Sequence, residues 1–393
     1  MMESLVFLLY ESEILLKGNK VTIANVSAKN TCKENPISND ELCLERNVQA
    51  YIQHSKRKMS ILAVFIVVLM SVMVCAAVLG ASSVNGFTIM QGIAERFTGV
   101  QTLSKIQEHI IFDVRLPRLC VAMLSGGSLA LAGLLMQGIF QNPLVSPYTL
   151  GVSSGAAFGA CLSIVLCASI GSEFLGLFTT PLFSFACAIA TMLIVYTIAN
   201  IAGRSTATLV LTGVAIGYLF SAMVSFLKYV AKLESLPKMV FWIMGSLQGL
   251  KWDVVVILLS ALVICALVTM CKAWDLNIMA LGQSEATTLG VNYKVTQAFT
   301  FIVATLLTSI SVAFTGVIGF VGLVAPHIAR MIIGNDYRYS VPASMLIGAI
   351  LLLGADTLAR IVIAPTELPV GVVTSLIGVP FYLFLVIRRR SLV

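Results

Sequence analysis

Residues 115–159 read RLPRLCVAMLSGGSLALAGLLMQGIFQNPLVSPYTLGVSSGAAFG, and this stretch decides the fold. An apolar run of helical length ends at Asn142-Pro143, because proline lacks a backbone donor and clashes with the preceding turn. In the second apolar run, glycines recur at every fourth position from Gly151 to Gly159 and leave a smooth face that another helix can approach closely. Two apolar helices, a tight polar hairpin and a glycine seam predict a membrane transporter rather than a single anchor.

The composition of the whole chain supports a membrane protein. The chain is 58% hydrophobic and 11% charged, and its mean hydropathy is +0.97. Soluble domains carry about 25% charged residues, so this chain could not cover a water-exposed surface. The net charge of +7 does not indicate nucleic acid as a partner, because no basic patch is interleaved with aromatic residues. The lipid bilayer is the expected surrounding.

From residue 60 onward we expect about ten membrane spans, placed by the length of the apolar runs and by the breakers between them. The predicted bounds are 60–81, 116–139, 149–170, 180–202, 207–230, 253–272, 294–316, 318–334, 341–363 and 370–388. An even number of spans puts both termini on one side. Basic clusters at 56–58 and 388–390 flank the first and last spans and identify that side as cytoplasmic. The predicted fold class is an all-α, polytopic protein of the cell (inner or cytoplasmic) membrane, whose transmembrane domain covers residues 59–393.

Residues 1–58 differ from the rest of the chain. They are rich in Asn, Lys, Glu and Ser and predict a polar, poorly ordered N-terminal tail. The apolar patch at 5–10 lacks a charged start and a cleavage site, so it is a poor signal peptide. Translation that begins at Met59 is the alternative interpretation.

Motifs of covalent chemistry and metal binding are not found in this sequence. No GxxxxGK[ST] occurs, so any ATP used in transport must be bound by a separate subunit. The GVSSG at 151–155 fits GxSxG, but it opens an apolar helix instead of a strand-to-helix turn. The three histidines are scattered, and the nine cysteines contain no CxxC. We therefore predict no catalytic residue, no metal site and no cofactor on this chain.

Five motifs together resemble the FecCD-type permeases, the membrane subunits of ATP-driven (ABC) importers for ferric siderophores, haem, cobalamin and some oxyanions. These motifs are RLPR, QNPL, LGVSSGA, GFVGLVAPH and ELPVGVVTSLIG, and the resemblance covers about residues 60–390. It implies a permease dimer, with a homodimer expected, and two cytoplasmic ATPase subunits that bind ATP and magnesium. It also implies an extracytoplasmic substrate-binding protein. Ferric siderophore or haem is the expected cargo, and cobalamin or molybdate is the alternative.

The resemblance implies that Arg115, Arg118 and Arg360 dock the binding protein. Arginine suits this role because its planar fork pairs bidentately with carboxylates and stays charged. The alternative is that Arg115 and Arg118 anchor a helix end at the lipid headgroups. Under that interpretation, Arg360 only neutralises Asp356, which lies four residues earlier on the same helix face.

Two further sets of residues receive roles from the resemblance. Asn142, Leu144 and Thr206 would form a cytoplasmic gate, although Asn-Pro favours a turn wherever it occurs. The hydrophilic stretch at 275–293 separates two strong spans, and by composition alone it is an ordinary solvated loop. The resemblance makes it an ATPase-coupling loop of two short helices. Its candidate contact residues are Leu281, Gly282, Glu285, Ala286, Leu289 and Gly290.

The stretch at 319–330, GFVGLVAPHIAR, is expected to hold a helix break inside the membrane at Gly319, Gly322 and Pro326. Two competing classes of protein remain open from the residues alone. An ion-coupled secondary transporter would place ionisable groups near the middle of the bilayer, and most predicted spans lack an unpaired acid. A polytopic enzyme would need clusters of His, Asp and Glu.

Overall fold

The computed structural model describes residues 36–79, 88, 91–92, 95, 103–170, 173–202 and 206–390. Within these residues all regular elements are helical. Eight helices of the described part of the chain are long and apolar enough to cross a membrane, and two shorter apolar helices, Val321–Ile333 and Val370–Phe384, accompany them. The prediction of an all-α membrane domain with about ten spans is confirmed.

The helices are numbered here in chain order. The first seven are α1 (Pro36–Val78), α2 (Lys105–His109), α3 (Leu116–Ile139), α4 (Val152–Ile170), α5 (Glu173–Ile201), α6 (Thr206–Val230) and α7 (Leu236–Met244). The next seven are α8 (Trp252–Cys271), α9 (Ala273–Met279), α10 (Gln283–Thr288), α11 (Tyr293–Thr315), α12 (Val321–Ile333), α13 (Tyr337–Ile361) and α14 (Val370–Arg390). A π-helical segment, Ile110–Arg115, joins α2 to α3.

Helix α1 begins well before the first predicted span. Residues 36–58, which the sequence places in a poorly ordered tail, form the first turns of α1, whereas residues 1–35 of that tail lie outside the described residues. The start of translation at Met59 stays a prediction. Only 11% of the most apolar window of α1 is buried, so this helix lies at the periphery of the bundle.

The second membrane helix also begins earlier than predicted. It runs without interruption from Lys105 to Ile139, and Ser104 caps its first turn through a reciprocal capping box with Gln107. The polar residues His109 and Asp113 precede the apolar run by which the span was placed, but the helix continues through them. Its 35 residues span about 50 Å, so the first turns extend beyond a hydrocarbon core of about 30 Å.

Helix α3 is the centre of the bundle, because 83% of its most apolar window is buried. It packs against α8, α11, α12 and α13. Small residues make this possible: a Cβ at Gly126 would overlap the backbone of Gly348 in α13, and one at Gly133 would overlap the carbonyl of Gly322 in α12. Close backbone approach of this kind is how membrane helices gain packing energy without a hydrophobic driving force.

The predicted glycine seam on α4 is confirmed as a close helix contact. A side chain at Gly155 would overlap Thr191, and one at Gly159 would overlap the carbonyl of Phe183, both in α5. The seam therefore packs α4 closely against α5.

The chain breaks its helix between α11 and α12, at residues 316–320. Phe320 has a positive φ of 66°, which is rare for a bulky residue. Of the three predicted breakers, Gly319 lies in this gap, but Gly322 and Pro326 lie inside α12. The prediction was wrong for these two residues, because surrounding helices and local adjustments can satisfy the backbone around an intramembrane proline.

Candidate functional site

The most deeply buried charge among the described residues is Asp356, in α13. Its side chain is 0% exposed, and its Oδ1 accepts hydrogen bonds from Arg118 Nε (2.9 Å) and Nη2 (2.8 Å). Arg360 Nε lies 3.0 Å from the other carboxylate oxygen, an ion-pair distance, although the angle is poor for a hydrogen bond. A buried charge is tolerated only when it is paired. Two guanidinium groups therefore compensate one carboxylate.

A second carboxylate completes this ion network. Glu367, in the connection between α13 and α14, accepts hydrogen bonds from Arg118 Nη1 and Gln248 Nε2, both at 2.7 Å. Burial raises the pKa of Glu367, but the hydrogen bonds from Gln248 and Arg118 outweigh it and hold the pKa below its ordinary value. Arg118 thus bridges two acids, and Gln248 ties the α7–α8 connection to the same group.

The arginines also hold the C-terminal end of α1. Arg115 Nη1 donates to the carbonyl of Ala77 (2.7 Å), and Arg360 donates to the carbonyls of Leu79 (3.0 Å) and Ala76 (3.1 Å). The last carbonyls of a helix lack intrahelical partners, and cations are stabilising at this end. The two side chains therefore fasten α1 to the bundle.

The three predicted docking residues are brought together, but not as free surface groups. Arg115, Arg118 and Arg360 are 7%, 9% and 4% exposed. The alternative in which Arg360 neutralises Asp356 matches the observed pair, and anchoring at headgroups does not describe the internal contacts of the other two. A docking role stays a prediction.

One cavity lies beside the network, and a second lies along α14. The first, of about 660 Å³, is lined by polar and charged residues that include His109, Arg118, Gln248, Lys251, Asp253 and Glu367. The second, of about 540 Å³, is lined by Ile243 and Met244 at the end of α7, by the α11–α12 connection and by Leu376 and Val379 of α14. Helix α7 was not predicted from the sequence, because its nine residues are too few for a span.

The predicted gate residues of the α3–α4 hairpin form a side-chain-stabilised turn. Asn142 Oδ1 accepts from the backbone N–H of Leu144 (3.0 Å), as expected for Asn in a turn. Thr206 is the first residue of α6, and the preceding Ser205 lies outside the described residues. The gate role of Asn142, Leu144 and Thr206 stays a prediction.

The sequence did not indicate a further contact of this hairpin. Gln141 has a positive φ of 47°, and its Nε2 donates to the carbonyl of Met279 at the end of α9 (3.3 Å). This contact joins the hairpin directly to the stretch that the resemblance assigns to ATPase coupling.

That stretch consists of two short helices, α9 and α10, as the resemblance implied. Gly282 precedes α10 with a φ of 125°, and Gly290 follows it with a φ of 84°. Within α10, Ala286 is buried. The helix is thereby fixed to the bundle on one face.

The other face of this stretch is open. Leu281 and Leu289 are 62% and 59% exposed, which leaves two apolar side chains available to a partner. Glu285 is also exposed, and a hydrogen bond from Ser284 (2.7 Å) lowers its pKa below the ordinary value. An ATPase-contact role for these residues stays a prediction.

Helix α9 is tied to the start of α13. Asn277 donates to Asp336 Oδ1 and accepts from the backbone N–H of Tyr337, both at 2.9 Å, and Arg338 pairs with Asp336 at 2.7 Å. Burial raises the pKa of Asp336, but the hydrogen bonds from Arg338 and Asn277 lower it to about 2. Movement of α9 is therefore linked to two elements, this helix start and the α3–α4 hairpin.

Among the described residues, no group of three or more His, Cys, Asp or Glu side chains could hold a metal ion. The polar groups of this bundle serve ion pairs and helix ends. A bundle of apolar helices with two cavities and a short helical pair between spans defines a multi-span membrane permease.

The chain belongs to the FecCD transport family, whose model matches residues 61–388. It is 40% identical to the hemin transport system permease protein HmuU of Yersinia pestis, over 72% of this chain and 84% of that protein. It is also 40% identical to the cobalamin import system permease protein BtuC of Halobacterium salinarum, over 72% and 74% of the two chains. It is 37% identical to the molybdate import system permease protein MolB of Haemophilus influenzae, over 73% of this chain and 84% of that protein.

A solved structure agrees with the family membership. An ABC transporter assigned to the metal-chelate type, in an inward-facing conformation, matches with a TM-score of 0.71 and 33% identity. The match covers 84% of this chain and 99% of that chain. The chain is thus a transport component, the permease of an ABC importer.

Proposed function

We propose that this permease imports an iron chelate, either a ferric siderophore or haem. The observation that carries the proposal is the similarity to relatives named for hemin and for Fe(3+) dicitrate, which are 40% and 37% identical to this chain. The cobalamin and molybdate permeases are similar to the same degree, so each of these cargoes is the second candidate.

Two copies of the chain would form the translocation path along their interface. The cavity beside α7 and α14 supports this, because it is wide and mainly apolar on a face where α14 exposes large side chains. Exposed apolar residues on this helix include Leu376, Ile377, Leu383 and Phe384. A second subunit that packs against them would enclose the cavity between the two copies.

The remaining partners would act at opposite ends of the bundle. An extracytoplasmic binding protein would deliver the cargo near the cavity that Arg118 lines. Two ATPase subunits, with ATP and magnesium, would attach from the cytoplasm at α9 and α10. Gln141 supports this coupling, because its side chain connects the end of α9 to the α3–α4 hairpin. Both termini would be cytoplasmic.

Reconstitution tests the cargo directly. The permease, its ATPase and its binding protein are placed in vesicles, and uptake of ferric siderophore, haem, cobalamin and molybdate is measured with and without internal ATP. We expect ATP-dependent uptake of an iron chelate, and none with an ATPase that cannot hydrolyse ATP. ATP-dependent uptake of cobalamin or molybdate alone would replace the iron-chelate proposal.

A further inference from the structure

At one border of the bundle, α1 passes the end of α8 and the start of α13, and cationic and aromatic side chains converge there. Lys58 immediately precedes the apolar run of α1. Trp274 lies three positions after Cys271, where α8 ends, and Tyr339 lies in the first turn of α13. Trp and Tyr are enriched at the headgroup level of bilayers, where one end of the ring is apolar and the other is hydrated. The cluster is therefore at a lipid–water interface.

Direct contacts hold the cluster together. Ser55 Oγ and Tyr339 Oη are 2.6 Å apart, and the ammonium group of Lys58 lies 4.9 Å from the centre of the Tyr339 ring. The guanidinium group of Arg338 lies 4.8 Å from the centre of the Trp274 ring and 5.7 Å from that of Tyr339. Cation–aromatic contacts at these distances are attractive and fix the direction of the cations.

The charges of this cluster do not balance within the described residues. Arg338 is paired with Asp336. Lys56, Arg57 and Lys58 take part in none of the ion pairs formed among the described residues. Lys56 and Arg57 are exposed and Lys58 is half-buried against the ring. Among the side chains that the structure describes, these three adjacent positive charges thus meet the membrane surface without a carboxylate partner.

We propose that Lys56, Arg57 and Lys58, with the rings of Tyr339 and Trp274, bind the anionic headgroup of a membrane phospholipid. The phosphate group supplies the negative charge that the cluster lacks, and juxtamembrane basic clusters attract anionic lipids in this way. The rings hold Lys58 and Arg338 in fixed directions, so the site is more than a flexible charged tail.

The surface next to the cluster selects a lipid over a free phosphate ion. Val64 and Val67 lie about two and three turns beyond Arg57 on the same face of α1, and they are 58% and 64% exposed. Acyl chains of a lipid held at the cluster would lie along this apolar strip. A free phosphate would leave the strip unused.

Quenching of Trp274 fluorescence tests the site. Full-length permease carrying Trp242→Phe and Trp252→Phe is placed in phosphatidylcholine vesicles that contain brominated phosphatidylglycerol or brominated phosphatidylcholine. We expect the brominated phosphatidylglycerol to quench at about a fivefold lower mole fraction, the preference that one favourable cation contact supplies. In the triple variant Lys56→Gln/Arg57→Gln/Lys58→Gln, the two brominated lipids should quench Trp274 equally at every mole fraction.

A matched control removes three charges elsewhere. Lys232→Gln/Lys238→Gln/Lys251→Gln acts at the other border, because Lys251 precedes α8 and the cluster follows it. This variant should keep the fivefold preference. Lys58→Gln alone should reduce the preference, and thermal unfolding shows that each variant is folded.

Several outcomes overturn the proposal. Equal quenching by both lipids in the parent protein, or a preference that survives the triple substitution at the cluster, excludes an anionic-lipid site there. Loss of the preference on addition of inorganic phosphate would identify a free-phosphate site instead. If the two lipids quench equally and the triple variant loses ATPase binding, the cluster serves a protein partner. No transport is measured, so the result is independent of the cargo.

Discussion

Replacement of Asp356 by asparagine should destabilise this protein strongly. The carboxylate is 0% exposed and accepts two hydrogen bonds from Arg118, at 2.9 and 2.8 Å, while pairing with Arg360 at 3.0 Å. The asparagine would leave two guanidinium groups with one charged side-chain partner, Glu367, between them. Removal of one member of a buried ion pair costs about 3–5 kcal/mol.

The remaining contacts place the cost near the lower end of that range. Arg118 keeps its bond to Glu367, and Arg360 keeps its bonds to the carbonyls of Leu79 and Ala76. Because these bonds still compensate part of each charge, we expect about 3 kcal/mol. The matched control is Asp275→Asn. Its ion pair with Lys272, at 2.9 Å, is exposed, and such pairs contribute about 0–1 kcal/mol.

Unfolding in detergent measures the difference. Cys161 and Cys265 are buried, so a thiol-reactive dye reports their exposure as the bundle opens, and a reversible denaturant titration supplies the free energy. A double-mutant cycle with Arg118→Gln should show a coupling energy above about 1 kcal/mol, because the two residues share one network. If Asp356→Asn and Asp275→Asn destabilise the protein equally, the buried network does not contribute as its geometry indicates.

Three further predictions concern the other candidate residues. Glu285→Ala with Leu289→Ala should reduce both transport and stimulation of the ATPase while expression stays near normal; wild-type values in both assays would remove α10 from the contact. Leu144→Ala and Thr206→Ala should admit a water-soluble thiol reagent to cysteines placed in the path of a cysteine-free protein, and unchanged labelling would leave both residues as turn or helix-start residues only. Asp336, with its pKa lowered from 3.8 to about 2, should stabilise the protein fully above pH 3.8 and lose that contribution as the pH falls towards 2. The difference in thermal midpoint between wild type and Asp336→Asn should therefore shrink over this range, and a difference that stays constant would contradict the assignment.

The membrane helices were predictable because each contains an apolar run near the length that a bilayer requires. The errors occurred where that rule does not apply. Helix α7 is too short to be recognised as a membrane span. The helix through His109 and Asp113 extends past the hydrocarbon core, where an apolar run is not required. Pro326 lies inside a helix because neighbouring helices compensate for it. Length and breakers describe one segment at a time, whereas these features depend on what surrounds the segment.

The partners of the charged residues were less predictable. Asp356 and Arg360 were recognised as a pair because four residues separate them on one helix. Arg118 and Glu367 are 249 positions apart, and Gln141 and Met279 are 138 positions apart. No local pattern specifies such contacts, so the sequence indicated Arg118 as an exposed group although it is enclosed between two acids.

Any acidic group that approaches Arg118 must compete with Glu367, which already accepts a hydrogen bond from it. A carboxylate that arrives from another protein meets a guanidinium group whose bonds to Glu367 and Asp356 are already formed. Capture of Arg118 by the newcomer would be an exchange of one acid for another, and it would leave Glu367 with its hydrogen bond from Gln248. Such exchanges have small net free energies, because a bond is lost for each bond formed. An encounter at this place would thus be short-lived, and its first structural effect would be on Glu367, which joins the α13–α14 connection to Gln248 of the α7–α8 connection.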